Sequence, residues 1–173
     1  MPSIVLLSGP VGAGKTTVAQ ALIAQTPHPS ICIEGDAFWS FIANPSVDQP
    51  RHKRFQMTMR AVLAAAVPYA ASKYETLVDF SIPPWFLDSA RDIATFRGAT
   101  LHYVVLLPPE ATCAQRAAER SEGTIADYTP HRELYADFLE ARPAHILEPD
   151  PDDAAETARL VRQGLNAGRF VVA

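Results

Sequence analysis

Gly9-Pro10-Val11-Gly12-Ala13-Gly14-Lys15-Thr16 reads G-x-x-x-x-G-K-T, the spacing of a phosphate-binding P-loop. The chemistry requires this spacing. Glycines let the backbone curl until successive N–H groups face an anion. Lys15 brings a point charge to the β- and γ-phosphates of a nucleotide, and Thr16 offers a hydroxyl to Mg2+. Ile4-Val5-Leu6-Leu7-Ser8 is a strand-like apolar run directly before the loop. Thr17 to Gln25 is rich in helix formers, with Val18, Ala21, Leu22 and Gln25 near one face. The positive end of such a helix adds to the attraction for phosphate. A nucleotide is therefore expected along Gly9, Pro10, Val11, Gly12, Ala13, Gly14, Lys15, Thr16 and Thr17.

The whole chain sets bounds on what surrounds this loop. A length of 173 residues suggests one domain, residues 1–173, with room for a substantial core. Hydrophobic residues make up 48%, which favours a packed globule over disorder. The net charge of −4 gives no general attraction to nucleic acid, so a polynucleotide partner is disfavoured. Cys32 and Cys113 are too few for a disulfide framework or a zinc site. Both sit in apolar-periodic segments and are expected as buried free thiols, which suits a reducing cytoplasm. No apolar run reaches the ~18 residues of a membrane span, and no basic-then-apolar leader is present.

Short β-rich runs alternate with longer helical ones. Strands are expected over Ser3 to Ser8, Ser30 to Glu34, Thr76 to Ile82, Leu101 to Leu107 and Ala144 to Leu147. Their near-continuous apolar character is that of strands covered on both faces. Between them, Phe55, Met59, Val62, Leu63 and Ala66 share a helical face. So do Ala111, Ala114, Ala117 and Ala118, then Leu134, Tyr135, Phe138 and Leu139, then Ala154, Ala158, Val161 and Leu165. Pro68 is expected to kink or end the long helix. Thr129-Pro130 reads as an N-cap followed by proline at the first helical position, and Asp153 with Glu156 as a cap before the last helix. This alternation implies an α/β fold, a mostly parallel sheet with helices on both sides.

Ligands of open parallel sheets sit beyond the carboxyl ends of the strands, so polar residues there are the candidates for chemistry. Asp36 follows the second strand. It could accept a proton from an attacking hydroxyl or orient it, or simply cap the helix that starts at Ala37. Asp79 ends the hydrophobic run Thr76-Leu77-Val78. A carboxylate there is the Walker-B pattern that holds Mg2+ directly or through water; the alternative is a turn or cap residue. Arg116 and Arg120 lie one turn apart on the helix after Leu107, and a polar segment from Gly123 to Thr129 leads to Arg132. Helix, polar loop, helix is the pattern of a mobile lid, here approximately residues 117–135. Its arginines would reach the transferring phosphate, or form a solvated charged face with Glu119 and Glu122. Arg51, His52, Lys53 and Arg54 place cations at a helix start, against its dipole. A bound anion, a nearby carboxylate or a solvated face would each explain them. Phe38, Trp39, Phe41, Trp85 and Phe86 either wall an apolar acceptor pocket or belong to the core. His102 and His145 have no Cys or His partners at ligand spacing, so structural roles are expected.

On these residues the chain resembles the small P-loop kinases, a group that includes shikimate kinase, gluconate kinase and the chloramphenicol phosphotransferase-like proteins. The likeness runs nearly the full length. It rests on Gly9 to Thr17, Gly35-Asp36, Asp79, the Cys113-x-x-Arg116-x-x-x-Arg120 helix and Arg132-x-x-Tyr135. It is greatest to the chloramphenicol phosphotransferase-like set, where an Asp after strand two also precedes an apolar or aromatic helix. The resemblance implies a three-layer P-loop fold, a five-stranded parallel sheet in the order 2-3-1-4-5, ATP as donor and Mg2+. It further implies Asp36 as the acceptor-side base and Arg116, Arg120 and Arg132 as lid arginines. Phe80-Ser81-Ile82 stands where shikimate kinases carry a glycine triplet, and Ala37-Phe38-Trp39 where gluconate kinases carry a histidine-proline pattern.

The expected activity is ATP-dependent transfer of the γ-phosphate to a hydroxyl of a small molecule, with Lys15 and Asp36 central, and Thr16 and Asp79 on the metal. Two rivals are a nucleotide-binding ATPase or switch without a small acceptor, and a nucleoside or nucleotide kinase.

Overall fold

The computed structural model describes residues 2–44, 48–96, 98–121, 123–149 and 153–173. The chain begins with β1 (Ser3–Ser8), the glycine loop and α1 (Lys15–Ala24). β2 (Ser30–Glu34), α2 (Ala37–Ser40) and the long α3 (Arg51–Ala71) follow, then β3 (Glu75–Asp79) and α4 (Leu87–Thr95). β4 (Thr100–Leu106), α5 (Glu110–Ala118), α6 (Arg132–Leu139), β5 (Ile146–Leu147) and α7 (Ala154–Asn166) complete it. The strands form one five-stranded sheet in the order β2-β3-β1-β4-β5, and every pairing is parallel.

Alternation along the central strands decides which helices cover which face. Ile4 and Leu6 of β1, with Leu101, Tyr103 and Val105 of β4, face Met59, Val62, Leu63 and Ala66 of α3 and Ala90 and Ala94 of α4. Val5, Leu7, Val104 and Leu106 face Val18 and Leu22 of α1 and Ala158 and Val161 of α7. Both layers are excluded from water, which is why β1, and β4 apart from Thr100 and His102, read as apolar runs. At the start of β3, Arg162 of α7 pairs with Glu75, which also accepts from the Thr26 hydroxyl at 2.7 Å.

Several boundaries differ from expectation. β3 stops at Asp79 instead of Ile82. Its partner β2 ends where the Gly35 N–H reaches the Asp79 carbonyl at 2.9 Å, and Ile82 turns to β1: its N–H donates to Ser8 Oγ at 2.7 Å, and its carbonyl accepts from that hydroxyl at 2.9 Å. β5 is only Ile146–Leu147, because Pro143–His145 forms a 3₁₀ turn. His145 therefore sits before the strand, buried, with its ring edge-on to Tyr103 at 5.6 Å. β2 is an edge strand, covered less than expected, and Cys32 is exposed rather than buried. Cys113 is buried as expected. α3 runs through Pro68 to Ala71, where the missing N–H falls in the last turn. Thr129 is not a cap: it opens a 3₁₀ turn ahead of α6, the cap position is Tyr128 with no side-chain capping bond, and the Thr129 N–H donates to Asp127 Oδ1 at 2.9 Å. Asp153 caps α7 as expected, accepting from the Glu156 N–H at 2.8 Å. Among the described residues, no helix is long and apolar enough to cross a membrane.

Candidate active site

The glycine loop leaves β1 at the carboxyl edge of the sheet and is held by close backbone approaches. Gly9 has φ +141° and Gly12 φ +82°, regions that disfavour a side chain. A Cβ on Gly9 would lie 2.2 Å from the Leu106 carbonyl oxygen, and one on Gly12 2.1 Å from that of Cys113. The loop is thus wedged between the end of β4 and α5. Tyr128 adds a third hold, donating its hydroxyl to the Val11 carbonyl at 2.8 Å. Ser81 supplies a fourth, donating to the Gly9 carbonyl at 2.9 Å.

Lys15 opens α1 and folds back over this loop. Its Nζ donates to the carbonyls of Gly9 at 3.1 Å and Pro10 at 3.0 Å. Burial holds the ammonium below its ordinary value, while Asp79 and Asp36 pull it back up and Arg120 pushes it down. All three groups therefore lie within electrostatic reach of Lys15. Thr16 points the other way, its hydroxyl donating to Asp79 Oδ2 at 2.7 Å across 63 positions of sequence. Burial raises the Asp79 carboxyl above the ordinary range, and the Thr16 hydrogen bond and Lys15 oppose that rise. Glu34 is in register with Asp79 on the neighbouring strand. Parity puts both carboxylates on the α1 side, where they line a pocket of about 300 Å³ with Thr16 and Cys32. Burial beside these carboxylates pushes the Cys32 thiol up to about 11.

Asp36 is exposed at the end of β2 and makes no side-chain capping bond to α2. The capping alternative thus has no hydrogen bond behind it. Arg116 of α5 reaches the loop: its Nη1 lies 3.5 Å from where a Gly14 Cβ would be. Arg132 is brought elsewhere. Its Nε pairs with Glu110 Oε1 at 2.9 Å, at the start of α5. Glu122, one of the acids proposed to pair with these arginines, lies outside the described residues; Glu119 accepts from Gln115 Nε2 at 2.9 Å. The aromatic group divides. Phe86 is core, Phe38 and Trp39 pack at its margin, and Phe41 and Trp85 are 71% and 51% exposed. Trp85 Nε1 donates to Asp137 at 3.0 Å.

Two groups that hold the loop, Tyr128 and Ser81, were not singled out from sequence: they have no motif, since any hydroxyl of suitable reach would serve. Tyr135, read from sequence on the face of the helix after Arg132 and in the Arg132-x-x-Tyr135 pattern, donates its hydroxyl to the Pro108 carbonyl at 3.1 Å.

Fit to a nucleotide can be tested on the loop itself. The backbone around Gly9 and Gly12 has no room for side chains, the bare backbone an anion cradle of N–H groups uses, and the Lys15 ammonium lies against the same loop. The Thr16 hydroxyl and Asp79 carboxylate converge on one point, the oxygen donors that Mg2+ selects. A family model described as an AAA domain matches residues 4–145. No curated protein matches the sequence. Among solved structures, an APS kinase of Mycobacterium tuberculosis, in complex with AMPPNP and APS, is 19% identical with a TM-score of 0.73, over 95% of this chain and 97% of that one. A tunicamycin resistance protein of Deinococcus radiodurans is 15% identical with a TM-score of 0.72, over 100% and 99%. A sugar kinase of Janibacter sp. is 18% identical with a TM-score of 0.71, over 96% and 95%. These likenesses are of fold.

Proposed function

We propose, from the premise that the chain belongs to this AAA-domain family of P-loop proteins, that it is an ATP-dependent phosphotransferase acting on a hydroxyl of a small molecule. The observation that carries the reading is the convergence of Lys15, the Thr16–Asp79 pair and Asp36 within reach of one another at the strand ends. The 173 residues are read as one kinase-like domain with a lid at approximately 117–135, and a cytoplasmic setting supplies its ATP.

The roles follow from placement. Loop amides from Gly9 to Thr17 and the Lys15 ammonium hold the triphosphate. Thr16 and Asp79 would hold Mg2+, which when bound neutralises phosphate charge. Asp36 takes the proton of the acceptor hydroxyl as its oxygen forms the new bond to the γ-phosphorus. The bond from that phosphorus to the β–γ bridging oxygen breaks, and ADP leaves. Arg116 and Arg120 supply positive charge beside the loop. Arg132 joins them only by leaving Glu110, a rearrangement that lid closure over the acceptor would provide. Closure excludes water, and with it wasteful hydrolysis.

The test compares ATP turnover alone with transfer into panels of alcohols, sugars, nucleosides and antibiotics. Slow turnover, raised by one acceptor, is expected. Asp36→Asn should retain AMPPNP binding and lose at least ~10²-fold in transfer. Rapid hydrolysis indifferent to every acceptor would instead identify a switch or ATPase.

A further inference from the structure

We propose that Phe80 and Ser81 are positioning residues of this site: one tripeptide, Asp79-Phe80-Ser81, sets the Thr16–Asp79 pair, Asp36 and Lys15 in fixed relation to one another. This rests on the phosphotransferase reading and adds two residues that act through others.

Three consecutive side chains leave the end of β3 for three parts of the site. Asp79 accepts from the Thr16 hydroxyl at 2.7 Å, on the α1 side of the sheet. Phe80 points to the opposite face, is buried, and lies against Gly35. A Cβ on Gly35 would lie 2.2 Å from Phe80 Cγ and 2.5 Å from Phe80 Cβ. Those atoms are the stem of the side chain, so no rotation of the ring clears them. The φ of Gly35 lies outside the left-handed region, so the ring, and not the backbone conformation, excludes a side chain there. Ser81 donates to the Gly9 carbonyl at 2.9 Å, and the same oxygen accepts from Lys15 Nζ at 3.1 Å. The tripeptide is itself anchored. The Phe80 N–H donates to the Leu7 carbonyl at 3.3 Å. Just beyond, the Ile82 carbonyl accepts from the hydroxyls of Ser8 at 2.9 Å and Tyr103 at 2.6 Å.

The Asp36 carboxylate is exposed and makes no capping bond, so the backbone on either side sets its place. Before it, the Gly35 N–H donates to the Asp79 carbonyl at 2.9 Å, with the Phe80 ring against the glycine. After it, the Trp39 N–H donates to the Asp36 carbonyl at 3.1 Å. Trp39 stacks on Phe55 with centroids 6.1 Å apart and rings within 7° of parallel, and Phe55 meets Phe80 edge-on at 5.8 Å. Contacts from both sides of Asp36 thus close on one ring. In-line transfer tolerates little error, since a displacement of about 1 Å can cost about 10²-fold, and a shared rigid mount is what holds such a geometry.

The experiment measures transfer from γ-labelled ATP by the full chain, with pooled alcohols, sugars, nucleosides and antibiotics as acceptor. Phe80→Leu should lower the maximal rate at least about tenfold, with the half-saturating ATP concentration and Mg2+–AMPPNP binding as in wild type. In an Asp36→Asn background it should lower the rate no further, because its effect passes through Asp36. Phe55→Leu, at a half-buried position of the same ring stack, should repeat this pattern more weakly, and carries the test if Phe80→Leu does not fold. Ser81→Ala should also lower the maximal rate about tenfold, by the same factor with or without Asp36→Asn, because it acts on Lys15 through Gly9. Ser81→Thr, which keeps the hydroxyl, should recover most of that loss. A maximal rate within about twofold of wild type in either folded variant overturns that residue's role. A Phe80→Leu loss undiminished beside Asp36→Asn overturns its action on Asp36. Both results leave the phosphotransferase standing. No transfer by wild-type protein that binds AMPPNP overturns the phosphotransferase reading, and this inference with it.

Discussion

Gly12 has no room for even a methyl group. Its φ of +82° is unfavourable for any L side chain, and the added carbon would lie 2.1 Å from the Cys113 carbonyl oxygen. That oxygen is backbone of α5 and has no rotamer to escape into. Gly12→Ala should therefore shift the whole loop, costing about 2–3 kcal/mol and abolishing AMPPNP binding by calorimetry. Asp79 makes the opposite trade. Burial raises its carboxyl above the ordinary 3.8, so the folded state prefers the proton. Below the ordinary value both folded and unfolded chains are protonated, and nothing is lost. As pH rises through the elevated folded value, the fold must hold a charge that the unfolded chain holds more easily, and stability falls. Metal-free Asp79→Asn should escape that fall. It should be more stable than wild type by about 1 kcal/mol near neutral pH, with the difference vanishing towards about pH 3. The same variant should lose the extra stabilisation that Mg2+ gives with nucleotide. Thermal unfolding across pH, with and without Mg2+–AMPPNP, checks both. Gly12 and Lys15 were picked out in sequence by the spacing of the glycine loop, Asp79 only as an acid at the end of a strand, with no spacing to the loop that fixes it.

At the scale of elements, legibility follows side-chain size and the number of solutions available. α3 announces itself through Met59, Val62 and Leu63, large residues at helical spacing. α4 had no such signal: its buried positions are Ala90 and Ala94, too small for periodicity to stand out. β2 read as fully covered because Ile31, Cys32 and Ile33 are apolar, but an edge strand has one neighbour and partial cover, which leaves Cys32 partly open at the rim of the pocket it lines with Glu34 and Asp79. The contacts from the segment between α5 and α6 to the loop were illegible for a different reason. Tyr128 bonds Val11 across 117 positions, and nothing local requires that pairing. Its hydroxyl ties the segment between α5 and α6 to the loop that α5 already wedges. Tyr128→Phe keeps the ring in its small cluster with Cys113 and Ala117 and removes the tie together with the hydroxyl's contact to the Cys113 thiol. The variant should lose about 1 kcal/mol, and AMPPNP should bind about fivefold more weakly because the loop is less preorganised. Calorimetry beside thermal unfolding separates the two effects.

Across the whole molecule, the site depends on strands being held at both ends. β4 is the strand whose last residue, Leu106, meets Gly9, and the carboxyl-terminal residues fasten β4 from the far side. The Tyr103 N–H donates to the Phe170 carbonyl at 2.8 Å, and the Val172 N–H to the Leu101 carbonyl at 2.9 Å. Phe170 is fully buried between β4 and α7. Arg169 bridges to β5, donating from Nε to the Ala144 carbonyl at 2.8 Å and from Nη2 to that of Ile146 at 2.6 Å. This short tail carries no motif, and its apolar run from Phe170 to Ala173 is too short to announce an element, yet it closes one layer of the core. Removing residues 169–173 should expose α7 and the outer side of β4. Loss of the Phe170 side chain alone costs about 3–5 kcal/mol, a large share of a typical margin of about 5–15 kcal/mol. The truncated chain should show a strongly lowered urea midpoint and bind AMPPNP weakly at best. Phe170→Leu, which keeps most of the apolar volume, should lose only about 1–2 kcal/mol and bind AMPPNP as wild type does. If truncation leaves the midpoint unchanged, the tail is ornamental and β4 is held by its parallel neighbours alone.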